Sequence, residues 1–530
     1  MTAHARFVIV AVTLQFCRLS ELTTAVYAQG GVPLWTNRYS GPGNAGGSAR
    51  AVAADGSGNV FVTGSTANGY YYDYATVAYS AAGIPLWTNR YNGPAQETDV
   101  PVAVAVDGGG NVFVTGYSFY ASGGAAVFAT IKYSGSGIPL WTNFGGTGFC
   151  FCNNFATAMA LDNSGDVIVT GHSLGLSGSE DFVTIKYSGA GVPLWTNLYN
   201  GPGDTDDYAY AIAVDSSGNV FVTGYSYASS DASTHYATVG YSSAGVPLWT
   251  NLYNGPGNQD QAYAIAVDSS GSVLVTGYSD GIVSGFDYVT IKYSASGVPL
   301  WINRYNGPSN GDDFAKALAV DSSGNVFVTG SSSNASSGFD WVTVAYSADG
   351  GPLWTNCYNG PGNGQDRASA IAVDSSGNVF ITGSSTGIGT DLDFATVAYS
   401  GAGAPLWTNY YNGPGNGPDS AAAMTVDPSG NVLVTGPSYA NTNNPSPDFL
   451  TIKYSPSVAP VHLTITPDGG SGYFIRFNGL AGSTYRLQRA TRLAGPWVAS
   501  APLTAPASGI VEFHDLFPPA SQAFYRTVQP

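Results

Sequence analysis

The chain is 530 residues long and carries 34 acidic against 17 basic side chains, a net charge of −17, with only 10% of its residues charged. A surface this acidic repels phosphate backbones and anionic bilayers, which argues against nucleic acid or anionic lipid as partners and leaves cations and neutral glycans open. With 70 glycines and 30 prolines but 44% hydrophobic residues the chain is no low-complexity coil, and its length exceeds one ordinary core unless that core is built from stacked repeats.

At the N-terminus, His4 and Arg6 precede the apolar run FVIVAVTLQF, and AVYA ends at Ala28 with small residues near the cut. This is the pattern of an export signal over residues 1–28, cleaved after Ala28, so a secreted or cell-surface location is expected. The apolar run is shorter than the ~20 residues a bilayer span needs, and no other segment reads as a transmembrane span. The mature chain would keep Cys150, Cys152 and Cys357. An odd count with two cysteines one residue apart is no disulfide framework, and small buried or half-buried thiols are expected.

From residue 33 onward one unit recurs. PLWTN, or once PLWIN, places tryptophans at Trp35, Trp87, Trp141, Trp195, Trp249, Trp301, Trp354 and Trp407. Aspartates of a DSSGN-like turn keep step at Asp55, Asp107, Asp162, Asp215, Asp268, Asp321, Asp374 and Asp427. Each unit reads as four short strands: AIAV, then VFVTG, then YATVAYS, then PLWTNRY, rich in Val, Ile, Phe, Tyr and Thr. Four antiparallel strands repeated at this period predict a β-propeller, the small residues of AIAV suiting an innermost strand at a crowded channel. The phase of the repeat predicts closure. A lone fourth strand, Val32–Tyr39, opens the mature chain, and the last unit ends near Phe449–Ser455 without one. Pairing the two closes a ring of eight blades.

The units AVDSSGNVFVTGYS and DYVTIKYSASGVPLW resemble the SBBP β-propeller repeats of exported bacterial proteins, over residues 33–455. That family name implies seven blades, and this chain departs from it with eight units. Members are mostly surface proteins, so the resemblance implies a fold rather than an activity. After a linker at 456–461, residues 462–530 hold the strand-like runs HLTIT, GYFIRFNG, TYRLQRA, WVASA, GIVEFHD and AFYRTV. These predict a small β-sandwich that resembles fibronectin III or immunoglobulin modules. The expected fold is therefore all-β: an eight-bladed propeller over 29–455, closed by an N-terminal strand, then a sandwich.

No HExxH zinc motif, nucleophile elbow or P-loop is read here. His172 and His235 fall in what reads as the variable loop after the second strand of adjacent units, where they could approach as a metal pair. A more regular feature is the acidic residue after NGPGN: Asp99, Asp207, Asp260, Asp313, Asp366 and Asp419, replaced by Asn154 and Gly47 in two units. A ring of carboxylates at the channel mouth could bind Ca²⁺ or sugar hydroxyls. The same recurrence fits a framework role, each Asp accepting backbone N–H bonds. Aromatic residues recurring in every unit read as packing, and Tyr70, Tyr71, Tyr72, Phe119, Tyr120, Tyr227 and Tyr439 in the variable loops as the candidates for stacking on a glycan. The expected function is that of a monomeric, exported binding or scaffold protein for a glycan or protein. A carbohydrate-active hydrolase or lyase using loop-face carboxylates, and a purely structural surface-layer component, are the alternatives.

Overall fold

A computed structural model describes residues 22–26, 31–120, 124–146, 153–175, 178–228, 232–439, 446–456, 461–468, 472–478, 484–490, 498–500, 502–504, 510–516 and 524–528. The chain divides into two compact units, one of Pro33–Tyr454 and one of Met1–Val32 with Ser455–Pro530. Among the described residues no helix is long and apolar enough to cross a membrane.

The first unit is an eight-bladed β-propeller of four-stranded antiparallel sheets. Blades one to seven span residues 47–91, 99–145, 154–199, 207–253, 260–305, 313–358 and 366–411. The eighth takes three strands from 423–454 and its fourth from Pro33–Tyr39, which lies antiparallel to Asp448–Tyr454 with Trp35 opposite Lys453 and Tyr39 opposite Phe449. First strands touch their counterparts in both neighbouring blades all the way round, the eighth returning to the first, so they form the channel wall.

The repeated phrase is explained by its contacts. In VFVTG the threonine is buried and its hydroxyl meets that of the third-strand threonine in every blade, from Thr63–Thr76 at 3.2 Å to Thr435–Thr451 at 3.1 Å. Its glycine is forced by the neighbouring strand. The first strand bulges there, as between Ala209 and Ala211, and a Cβ on Gly224 would meet the Tyr208 carbonyl at 1.8 Å. In DSSGN the aspartate closes its own turn: Asp215 Oδ1 accepts from Ser217 N and Asn219 N at 2.8 and 2.9 Å. Four of these turn aspartates also pair with a third-strand lysine, Asp427 with Lys453 at 2.7 Å among them.

PLWTN is a clasp between blades. Trp249 Nε1 donates to Ala295 O and Asn251 Nδ2 to Gly297 O, both in the next blade's turn, at 3.0 and 2.7 Å. The indole lies against Gly297, where a Cβ would sit 2.6 Å from the ring, and between Phe221 of its own blade and Tyr293 of the next. Trp35 makes the same clasp from blade eight to Ala81 of blade one, sealing the ring. The clasp tryptophans are half-buried, except the buried Trp407, because they stand on the outermost strand with one edge to solvent. Cys357 sits on that same strand and is exposed rather than buried.

In the second unit each predicted run contains a strand. Val461–Pro467, Tyr473–Asn478 and Ile510–Asp515 form one antiparallel sheet, with Leu22–Val26 added at its edge against Val461–Ile465. Thr484–Ala490 pairs with Val498–Ala499, Leu503–Thr504 and Phe524–Val528. Ile475, Phe477, Leu487 and Val511 are buried, and Arg489 donates to Asp515 at 2.6 Å.

Candidate binding site at the channel mouth

Five of the six recurring aspartates begin a first strand and Asp419 precedes one by four residues, and all stand opposite a second-strand serine, Asp207 opposite Ser226, Asp260 opposite Ser279 and Asp419 opposite Ser438. All six are 0% exposed. Their Oδ2 atoms accept the N–H of the glycine in the preceding NGP: Gly93 to Asp99 at 2.6 Å, Gly201 to Asp207 at 2.5 Å, Gly255 to Asp260 at 2.7 Å, Gly307 to Asp313 at 2.5 Å, Gly360 to Asp366 at 2.6 Å, and likewise Gly413 to Asp419. A side chain on Gly201 would collide with Ser226 Oγ at 2.1 Å. The carboxylates are thus brought to one end of the ring but turned into their own loops, which they pin to the rim. Where the unit carries Asn154 instead, its amide donates to Ala126 O of the preceding blade.

A second row of carboxylates, in the DYAT-type segments, escaped the sequence reading. Asp73, Asp181, Asp287, Asp340, Asp393 and Asp448 lie within the first three residues of third strands and are buried. Electrostatic coupling links each of the first five to the first-strand aspartate of the next blade, Asp73 acting on Asp99, Asp287 on Asp313 and Asp340 on Asp366, and Asp207 acting on Asp181 and Asp419 on Asp393, across five blade interfaces. Burial, reinforced by the neighbouring charge, pushes Asp99, Asp181, Asp207 and Asp393 up to about 6. Arginines of the fourth strand relieve three sites: Arg90–Asp73 at 2.7 Å, Arg304–Asp287 at 2.7 Å and Arg38–Asp448 at 3.3 Å.

What differs among blades lies beside this framework. The second and fourth residues of the first strand flank the bulge, and the residue after TG stands opposite the second. In blades seven, eight and one these positions hold Arg367, Ser369 and Ser384, then Ser420, Ala422 and Pro437, then Ser48, Arg50 and Ser65. From blade two to blade six they hold mostly aromatic rings, which touch in an unbroken arc. Tyr117 meets Phe155 at 4.9 Å, His172 meets Tyr208 at 4.7 Å, Tyr210 stacks on Tyr263 at 5.0 Å and 8°, and Tyr278 meets Phe314 at 5.2 Å, with Phe155–His172, Tyr208–Tyr225–Tyr210 and Tyr263–Tyr278 contacts between. All these rings are half-buried. The arc ends in a cleft of about 490 Å³ spanning blades five to seven, lined among others by Tyr263, Tyr278, Phe314, Lys316, Phe339 and Arg367. Lys316 Nζ lies 4.7 Å over the Tyr263 ring and the Arg367 guanidinium 5.7 Å over Phe339. The surrounding wall holds the Lys316 ammonium below the ordinary lysine range.

Midway along the arc, where blades three and four meet, burial pushes the half-buried Glu180 carboxyl up to about 7, helped by the charges of Asp206 and Asp181. Glu180 N donates to Asp206 Oδ1 at 3.0 Å, and both carboxylates act on Tyr208.

Other sequence candidates fall differently. His172 and His235 belong to strands, Val167–Leu174 and Ser233–Tyr241, not to a loop. The first joins the arc and the second hydrogen-bonds Ser233 at 2.7 Å. Among the described residues no three His, Cys, Asp or Glu side chains are arranged to hold a metal ion. The strings GHSLG, GYSDG and GSSTG match a nucleophile-elbow pattern, but Ser173, Ser279 and Ser385 lie inside strands, buried opposite Asn154, Asp260 and Asp366. Tyr70, Tyr71, Tyr72, Tyr120 and Tyr227 are exposed, but Tyr71 and Tyr72 begin strand Tyr71–Tyr79 and Tyr227 ends strand Val220–Ala228 rather than lying on loops. Cys150 and Cys152 lie outside the described residues.

The β-propeller repeat family, SBBP, matches residues 194–230, 248–282, 300–336 and 360–390. No curated protein matches the chain in sequence. Among solved structures, Sqt1 of Chaetomium thermophilum is similar at 10% identity and TM-score 0.50, over 81% of this chain and 98% of that one. Sqt1 bound to the N-terminus of ribosomal protein L10 scores 0.49 at 10% identity, over 81% and 100%. A gluconolactonase, XC5397 of Xanthomonas campestris, scores 0.31 at 12% identity, over 57% and 90%. At these identities the likeness to Sqt1 shows the propeller fold alone.

Proposed function

We propose that this protein is an exported binding scaffold whose propeller holds its ligand at the aromatic side of the channel mouth. The observation that carries this reading is the asymmetry of an otherwise repeating ring. Eight copies share their framework residues, while the three rim positions turn aromatic over successive blades and converge on one cleft. Half-exposed aromatic rings that touch one another around a mouth offer flat apolar faces to the pyranose faces of a glycan or to a peptide. A glycan and peptide array probed with the purified protein tests this. Signals should vanish with Tyr263→Ala, a residue blade eight tolerates as Ala422, and persist with Tyr70→Ala on the outer loop. Equal loss in both variants would point to the loops instead.

Export is part of the proposal and rests on the N-terminal pattern. Removal of residues 1–28 would take Leu22–Val26 from its sheet and leave Val461–Pro467 at the edge. N-terminal sequencing of protein recovered outside the cell should start at Gln29.

The alternative of a carbohydrate-active enzyme has one observation in its favour, the Glu180 and Asp206 carboxylates beside Tyr208 on the same arc. A carboxyl pushed up to about 7 beside a second carboxyl is the arrangement general acid catalysis on a glycosidic bond uses. Turnover of an array-positive glycan, abolished by Glu180→Gln with binding retained, would establish it.

A further inference from the structure

The charges of the mouth narrow the ligand further, on the premise that the aromatic cleft is the binding site. The propeller contains ten basic residues. Seven of them, Arg38, Arg90, Lys132, Lys186, Lys292, Arg304 and Lys453, are ion-paired to aspartates. The other three, Arg50, Lys316 and Arg367, have no ion pair among the described residues, are exposed, and all occupy the variable first-strand positions of the mouth. In a chain of net charge −17 with acidic side chains to spare, no carboxylate among the described residues is paired with these three cations. Nearby, Asp280 at the end of strand Val273–Gly281 and Asp312 on a loop are turned to the N–H groups of Asn258 and Phe286, at 3.3 and 3.2 Å.

We propose that the cleft of blades five to seven binds an oligosaccharide bearing a uronate-type carboxylate. The sugar faces lie on Tyr263, Tyr278 and Phe314, and the carboxylate is held between Lys316 and Arg367. A guanidinium and an ammonium held over rings are oriented donors for a carboxylate, whereas a neutral sugar would leave both charges unused. Farther along the arc, Asp206 places a negative charge beside Tyr208, which disfavours an acidic residue there and leaves that stretch for neutral units. The net negative charge of the protein likewise disfavours a long polyanion and favours a short acidic segment.

Calorimetric titration of the full chain with trigalacturonate tests the proposal, with the neutral galactotriose and a triglutamate peptide as comparisons. Lys316→Ser and Arg367→Ser copy residues that blades seven and eight already carry at those positions, Ser369 and Ser420, so the fold is kept and melting curves check it. Trigalacturonate should bind more tightly than either comparison, and each substitution should weaken it about tenfold or more, as expected for a lost charged hydrogen bond, without altering galactotriose binding. Trigalacturonate binding that is unchanged in the double variant overturns the proposal. So does equal or tighter binding of galactotriose, and if that binding is lost with Tyr263→Ala the cleft remains the ligand site while its acidic specificity falls. Preference for triglutamate would assign the cleft to acidic peptides and also overturn it.

Discussion

At the residue scale the repeat is a set of contacts written eight times, and the clasp tryptophan shows how much one of them carries. Trp249 buries one face between Phe221 and Tyr293 and donates to Ala295 O. Because its other edge is solvated, Trp249→Ala should cost about 2–4 kcal/mol, toward the low side of a fully buried tryptophan. Chemical denaturation checks this as a lowered midpoint with unchanged slope. Asp207 is a different case. It spends its carboxylate on Gly201 and Ser226, and blade three carries Asn154 at this place, which accepts from Ser173 and donates to Ala126 O, so Asp207→Asn should fold normally. The recurrent aspartates stood out in the sequence because they recur, and recurrence marks what every blade needs. The residues that differ, Tyr210, Tyr263, Lys316 and Arg367, stood in plain sight at equivalent places in the aligned units. Their convergence was hidden because it depends on the first-strand bulge and on which strands face the channel, neither of which a period reveals.

At the scale of strands and interfaces, the carboxylate pairs between blades set a pH dependence. Asp99, Asp181, Asp207 and Asp393 have folded pKa values raised from 3.8 to about 6, so the fold holds their protons more tightly than the unfolded chain does. That stabilisation is complete below about pH 4 and is lost as pH rises through about 6. Asp107, Asp268 and Asp427 behave oppositely, because their turn N–H groups and lysine partners lower them, so their stabilisation is lost as pH falls below 3.8. Thermal melts across pH should therefore show a maximum at about pH 4, with the fall toward pH 7 reduced in Asp207→Asn. A monotonic rise to pH 8 would contradict the paired carboxylates. The closing strand is the other element on which the ring depends. Deleting Pro33–Tyr39 removes the Trp35 clasp and the Arg38–Asp448 pair and bares Asp448–Tyr454 as an edge. The truncated chain should melt lower and self-associate in sedimentation, and a peptide of residues 32–39 should reverse both. This closure was legible in the sequence, because an orphan fourth strand at one end and a three-strand unit at the other admit one simple pairing.

At the scale of the whole molecule, an eight-fold framework carries a one-sided mouth, and the account stands or falls on the separation of the two. The framework is the threonine pairs, bulge glycines, clasps and buried carboxylates. The mouth is the aromatic arc and its unpaired cations. The direct measurement is a matched melt and titration of one variant, Tyr210→Ala, Tyr263→Ala, Lys316→Ser and Arg367→Ser combined, each change copying a residue found at the same position in blade seven or eight. Unfolding should stay cooperative with a modestly lowered midpoint, since the two tyrosines give up half-buried ring contacts worth about 1 kcal/mol each while the two cations lie on the surface, and trigalacturonate binding is lost. A variant that unfolds cooperatively and still binds trigalacturonate as the parent does would contradict the account.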